Sequence, residues 1–266
     1  MTSCYSDSRL ETAKSMKPSK PIPILTYHQI EKAPPRGTPM RSLYVSPRAF
    51  QIQMWILKVL GYRGLSMTEL SPYLSGERSG KVVGITFDDG YLNNLIHAAP
   101  ILKKFEFTST CYVVTDLMGT TNSWDAGIGV PSASLMNLEE LMQWKRLGQE
   151  IGSHTLTHRN LMQMNQASAE DEIVRSKGDL ERKLGESIHQ FCYPYGDYDS
   201  SHAALVQQAG YLGATTTKRG RVNSGLGLGG RVPLNFFELP RIPIVRSTSW
   251  LQFFLKVVTP YEDHHA

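Results

Sequence analysis

Lys81-Val82-Val83-Gly84-Ile85-Thr86-Phe87-Asp88-Asp89-Gly90 is an apolar run that stops on two carboxylates and a glycine. Residues 81–87 have the length and composition of a buried strand. Asp-Asp-Gly by itself also reads as strand-to-turn punctuation. Further along, Ile151-Gly152-Ser153-His154-Thr155-Leu156-Thr157-His158 puts two histidines behind a second strand-like run. By themselves these could be two surface histidines at i, i+4 on a helix. Taken together, at the ends of two strands, one carboxylate and two histidines can form a metal site with open positions. The other carboxylate is then free to act as a base beside the metal.

Strand-like and helix-like segments alternate outward from this pair of motifs. Strands are expected over 22–27, 81–87, 109–115, 150–153, 190–193, 212–217 and 239–245. Helices are expected over 47–60, 92–105 (with Pro100 as a candidate kink), 167–184, 200–209 and 250–257. A further helix runs to Leu147, capped by Asn137 with Glu140 in capping-box position and ended at Gly148. Residues 116–136 form a long polar loop carrying Trp124 and Asp125, and 218–237 are glycine-rich and expected to be flexible. Repeated strand-helix units predict a parallel sheet with helices outside, and about seven units suggest a barrel. The motif residues then lie at the carboxyl ends of strands, where α/β barrels build their sites.

Composition sets wide bounds. The chain has 266 residues, 41% hydrophobic and 20% charged, which suits one large α/β domain. Residues 1–20 read as a disordered lead-in, 21–258 as the domain and 259–266 as a flexible tail. Lys plus Arg number 28 against 24 Asp plus Glu, a net charge of +4 that is too mild to argue for nucleic acid. No window approaches the ~20 apolar residues of a membrane span. The first twenty residues lack an apolar h-region, so a cytoplasmic location is expected. The three cysteines, Cys4, Cys111 and Cys192, are an odd number at no metal-like spacing. Cys111 and Cys192 lie in apolar runs and are expected to be buried thiols.

Three motifs in order, Thr86 to Gly90, His154 to His158, and Tyr193-Pro194-Tyr195-Gly196, resemble those of the polysaccharide deacetylase (NodB-homology) family of carbohydrate esterases, family 4. Leu25-Thr26-Tyr27-His28 and Leu239-Pro240-Arg241-Ile242 look like its exopolysaccharide-type subgroup. The resemblance implies a distorted, incomplete (β/α) barrel of about seven units. It implies a hydrolase that releases acetate from N-acetyl, or O-acetyl, groups of a glycan or glycolipid. It also implies one divalent ion, most often zinc, held by Asp89, His154 and His158, with Asp88 as general base. By the same resemblance, the backbone N–H of Tyr195 helps hold the oxyanion and its ring walls the site.

The chain departs from the family pattern at two places. Many members carry an arginine three residues before the site tyrosine, where Cys192 stands here; Arg241 is the candidate replacement, and a structural salt bridge is its other reading. The family's late Leu-x-His acid is absent. His28 ends the first strand on the same rim and is the candidate acid. Trp144 has core spacing with Leu141 and Leu147, His97 reads as a surface residue, and Trp124 is a candidate for stacking on a sugar ring. Two alternatives stay open. One is a metal amidohydrolase acting on a small non-sugar amide; the other is a carbohydrate-binding pseudoenzyme. Iron oxygenase chemistry also fits two histidines and a carboxylate, but no oxygenase motif accompanies them.

Overall fold

Seven parallel strands close on themselves, and the alternation along each strand sorts its side chains between barrel interior and helical shell. The computed structural model describes residues 20–223 and 234–263. Cys4 and nearly all of the expected lead-in, residues 224–233 of the glycine-rich stretch, and His264 and His265 lie outside the described residues. In chain order the elements are β1 (Ile24–Tyr27), β2 (Gln29–Ile30), β3 (Tyr44–Val45), α1 (Pro47–Val59), β4 (Arg63–Leu65), α2 (Met67–Leu74), β5 (Val82–Phe87), α3 (Ala99–Phe105), β6 (Thr110–Val113), α4 (Leu138–Arg146), β7 (Glu150–Ser153), α5 (Gln166–Leu184), β8 (Gln190–Cys192), α6 (Ser200–Gln208), β9 (Gly213–Arg219), β10 (Leu239–Pro243) and α7 (Trp250–Val258).

The ring runs β1-β10-β9-β8-β7-β6-β5 and closes where β5 pairs with β1, from Ile24 opposite Gly84 to Tyr27 opposite Phe87. This is the expected seven-unit barrel, one unit short of eight. The distortion is local. β4 pairs only with the start of β5, Arg63 to Leu65 against Val82 to Gly84, and β6 joins β5 only from Thr86 onward. β4 therefore sits where β5 and β6 have not yet met, and the Thr108 N–H closes the seam onto the Gly64 carbonyl.

On β5, Val83, Ile85 and Phe87 face the helices and join the larger apolar core. Phe87 contacts Tyr27, Phe50 and Trp144 at ring-centroid distances of 5.6, 5.8 and 5.7 Å. Such aromatic pairs add about 0.5–1.5 kcal/mol each beyond area burial. Trp144 is fully buried, as its spacing predicts, with its indole N–H on the Glu150 carbonyl at 3.0 Å. The smaller cluster joins Ile24, Tyr112, Cys192 and Leu239 to Met67 and Leu70 of α2. α2 closes the amino-terminal end of the barrel: the Met67 N–H donates to Thr110 Oγ1, and Gln190 Nε2 donates to Thr68 Oγ1. Gly152 makes room for this packing, since a Cβ there would lie 2.6 Å from the Tyr112 ring and 2.9 Å from the Gln190 carbonyl.

The helix signals hold. Asn137 and Glu140 form the expected capping box, and Gly185 ends α5 at φ 70°. The helix expected over 92–105 is present without a break, and it widens into π-type turns over Asn94–Ala98 before continuing as α3. Pro100, which has no N–H to donate, follows directly on this widened stretch inside the helix. β4 and α2 carry weak sequence signals. β4 is three residues long with Gly64 at its centre, and α2 contains Pro72. No helix among the described residues is long and apolar enough to cross a membrane.

Candidate active site

Consecutive side chains of a strand point to opposite faces, so two adjacent aspartates cannot both enter the cup unless the chain turns between them. It does. Thr86 and Asp88 face inward in strand register, and the Asp88 N–H donates to the Tyr27 carbonyl at 2.9 Å. Asp89 and Gly90 then take left-handed φ values of 75° and 80°. Both carboxylates are buried, at 4% and 5% exposure. Thr155, His158 and Tyr195 are left-handed too, at φ 65°, 62° and 61°. Four of the six described non-glycine residues with positive φ thus stand at this one rim, where the surroundings must hold strained backbone in place.

Glu172 supplies part of that hold. Its carboxylate accepts the Leu156 and Thr157 N–H groups at 2.8 and 2.9 Å and the Thr157 hydroxyl, locking the loop between the two histidines. Sequence reasoning missed this residue. The available signal was a carboxylate on the buried stripe of α5, between Ala169 and Ile173.

The two histidines converge on Asp89. Its Oδ1 lies 3.4 Å from His154 Nε2 and 3.3 Å from His158 Nε2. Burial pushes the Asp89 carboxyl up, and the histidines more than offset this, holding it well below the usual carboxylate range. The donor set fits a divalent cation. An ion about 2.0–2.1 Å from each atom of a tetrahedral set separates neighbouring donors by about 3.3–3.4 Å. His154 Nδ1 lies 2.7 Å from the Cys192 carbonyl, to which it donates, leaving Nε2 free as a ligand. His158 is held differently. Its Nδ1 is buried with no hydrogen-bond partner. Its ring stacks on Trp124 at 4.4 Å and 18°, and meets Tyr195 edge-on at 4.8 Å and 75°.

Asp88 is turned away from that cluster toward Arg241. The guanidinium donates to Oδ1 at 2.6 Å and Oδ2 at 2.8 Å. Its remaining donors go to the Thr216 carbonyl, Thr86 Oγ1 and Cys192 Sγ at 2.9, 3.1 and 3.2 Å. The arginine missing at position 192 is therefore matched by one from β10, and the small Cys192 side chain leaves the space it fills. Burial alone would raise the Asp88 carboxyl; Arg241, with His28 and His154, outweighs it and keeps the group below its ordinary value. His28 Nε2 lies 3.9 Å from Asp88 Oδ2, with 26% of its side chain exposed. Asn94 brackets it, donating to the His28 carbonyl at 2.7 Å and accepting the Ile30 N–H at 3.1 Å. Asn94 was also missed; a buried amide inside an irregular helical turn has no periodic signature.

The loop expected over 116–136 is structured. It pairs back on the strand exit through Tyr91 with Leu135 and through the Met136 N–H on the Gly90 carbonyl. This return carries Trp124 onto His158 and Asp125 into the mouth, where burial and the Asp89 charge push Asp125 up. At the Pro194–Gly196 turn, the N–H groups of Gly196 and Asp197 make the turn bonds, which leave that of Tyr195 out. A cavity of about 540 Å³ opens beside His158, lined by Trp124, Asn160, Gln163, Tyr195 and Asp197. His97 pairs with Glu31 at 3.2 Å, and His202 pairs with Asp199 at 2.9 Å on α6; neither enters the site.

The sequence profile described as polysaccharide deacetylase matches residues 75–214. YxkH of Bacillus subtilis (strain 168) is 28% identical over 217 residues, covering 81% of this chain and 71% of that one. Poly-beta-1,6-N-acetyl-D-glucosamine N-deacetylase of Staphylococcus aureus (strain MRSA252) is 24% identical over 199 residues, covering 70% and 68%. The solved structure of Streptococcus pyogenes deacetylase PplD in complex with acetate superposes with a TM-score of 0.76 at 28% identity, covering 91% of this chain and 99% of that one.

Proposed function

The chain belongs to the polysaccharide deacetylase family, and from that premise we propose that it is a metal-dependent deacetylase hydrolysing N-acetyl groups of a glycan or glycolipid. The observation that carries the reading is a buried, ionised Asp88 fixed by Arg241 next to a separate Asp89–His154–His158 cluster. A base and a metal site made from adjacent residues, yet facing different partners, suit hydrolysis of an unactivated amide.

Asp89, His154 and His158 would hold the divalent ion, which when bound supplies polarisation of the acetyl carbonyl and a more acidic water. Asp88 accepts the proton of the attacking water as its oxygen bonds to the carbonyl carbon. Arg241 keeps the carboxylate ionised and aimed. The Tyr195 N–H, spared by its own turn, offers a donor to the developing oxyanion. His28 gives its proton to the amide nitrogen as the C–N bond breaks, so acetate and a free amine result. His28 is partly exposed beside Asp88, so its proton is within reach of the bond being cleaved.

The cavity beside His158 exceeds what a small amide fills, which favours a glycan over the small-amide alternative. The intact donor set argues against a pseudoenzyme. The test is acetate release from a panel of N-acetylated oligosaccharides, poly-β-1,6-N-acetylglucosamine fragments included, with and without chelator. Chelator-sensitive release supports the proposal. Release only from small non-sugar amides would replace it with the amidohydrolase reading, and no release from any substrate would favour the binding protein.

A further inference from the structure

Helices α1, α3 and α7 form one side of the outer shell, with α1 packed against both of the others. Across their spans they carry five cations, Arg48, Lys58, Lys103, Lys104 and Lys256, and no carboxylate. Glu106 and Glu262, just beyond the helix ends, pair with Lys58 and Lys256. Among the described residues no ion pair is found for Arg48, Lys103 or Lys104. At the upper edge of the same side, Arg41 lies near Arg246 and Arg36; loss of hydration and then those two charges pull its guanidinium down.

The same side leaves large apolar residues in water. On α1, Phe50, Met54 and Leu57 face the barrel. Ile52, Trp55 and Val59 recur on the opposite face, at 40%, 56% and 64% exposure. On α7, Phe253 and Val257 point in, while Trp250 and Leu251 are 66% and 50% exposed. Half of the chain's four tryptophans therefore stand in solvent on two contacting helices. Isolated exposed apolar residues need no explanation, but a cluster of them among unpaired cations does.

We propose that the α1–α3–α7 face binds a membrane surface rich in acidic phospholipid. Exposed tryptophan and aliphatic side chains among unpaired Lys and Arg are the chemistry of interfacial binding: apolar tips enter the headgroup boundary while the cations meet lipid phosphates. A second copy of this face is a poor partner, because it would set the unpaired Arg48, Lys103 and Lys104 against their own copies. The strands leading into α3 and α7 carry Asp88 just past the end of β5 and Arg241 within β10, so docking here sets the site mouth near the membrane edge. This inference rests on the shell and not on the proposed reaction.

The test is co-sedimentation of the full chain with phosphatidylcholine vesicles, with and without phosphatidylglycerol. Binding is expected only with the anionic lipid, and high salt should weaken it. Arg48→Glu with Lys104→Glu should reduce partitioning by about fivefold or more per cation. Trp55→Ala with Trp250→Ala should reduce it about tenfold. Both double variants should keep the thermal melt and the rate on soluble substrate, since neither pair touches the cup. Absence of binding, equal binding to neutral vesicles, or indifference to both double variants overturns the proposal. So does a light-scattering dimer that Trp55→Ala dissolves, or anionic-vesicle binding that appears only after residues 1–19 are deleted; these would make the occupant a second copy or the chain's own leading segment.

Discussion

Arg241 holds Asp88 in a two-pronged grip, Nη1 to Oδ1 at 2.6 Å and Nη2 to Oδ2 at 2.8 Å, reaching it from β10 across the intervening β1. Both side chains are buried, at 1% and 4% exposure. Removing one partner of such a pair leaves an uncompensated charge, which costs about 3–5 kcal/mol. Arg241→Met should therefore lower stability by that order in denaturant titrations while metal content stays unchanged, and turnover should fall. Arg241→Lys should recover little, because an ammonium cannot reproduce the planar fork.

The same pair sets a pH dependence. In the folded protein Asp88 ionises below its ordinary value, because Arg241 outweighs the effect of burial. Its contribution to stability is thus complete above the unfolded carboxyl value of about 3.9 and is lost as pH falls through the lower folded value. In Arg241→Met burial loses its main opponent, so the carboxyl moves up. The acid limb of the pH–rate profile should then shift to higher pH than in the parent. An unshifted limb would mean that Arg241 does not govern the ionisation of Asp88.

Asp88→Asn should retain the divalent ion and lose about a hundredfold to ten-thousandfold in turnover, the usual cost of removing a general base. Metal lost from Asp88→Asn but retained by Asp89→Asn would exchange the roles assigned to the two aspartates.

Trp124 positions His158 by stacking, since the buried Nδ1 of that histidine has no hydrogen-bond partner. Supports of metal ligands are typically worth ten- to hundredfold in metal affinity. We predict a loss of about tenfold in Trp124→Ala, read by calorimetric metal titration, and recovery of most of it in Trp124→Phe, which restores a flat ring. Equal affinities in all three proteins would leave Trp124 as a substrate wall only.

His28→Ala should keep fold and metal but slow amide substrates far more than activated esters, whose leaving groups need no proton. The placement of Nε2 3.9 Å from Asp88 motivates this, since a proton taken by the base can pass to the same side of the substrate. Equal losses on amides and esters would remove His28 from the acid role.

Asp88, Asp89, His154 and His158 were legible in the sequence because strand ends of a parallel barrel share one rim, so local motifs on different strands meet without knowledge of loop geometry. Arg241 was legible as a candidate for a different reason: Cys192 left a gap that some cation had to fill. Glu172 and Asn94 act through hydrogen bonds to backbone groups many residues away, and only the folded loops create those contacts. β4 and α2 were missed because three residues around a glycine, and a helix containing a proline, are specified by packing under the barrel rather than by local propensity. The fate of Trp124 also depended on tertiary pairing, since its loop had to fold back on Tyr91 before the indole could reach His158.

The most direct test of the central claim combines metal analysis with acetate release on one set of proteins: the parent chain, the Asp89→Ala, His154→Ala and His158→Ala single variants, and the triple variant. The account predicts a bound divalent ion and chelator-sensitive acetate release in the parent, weakened metal binding and little release in each single variant, and neither metal nor release in the triple variant. Stoichiometric metal in the triple variant, or acetate release from the parent that chelation leaves untouched, would contradict it.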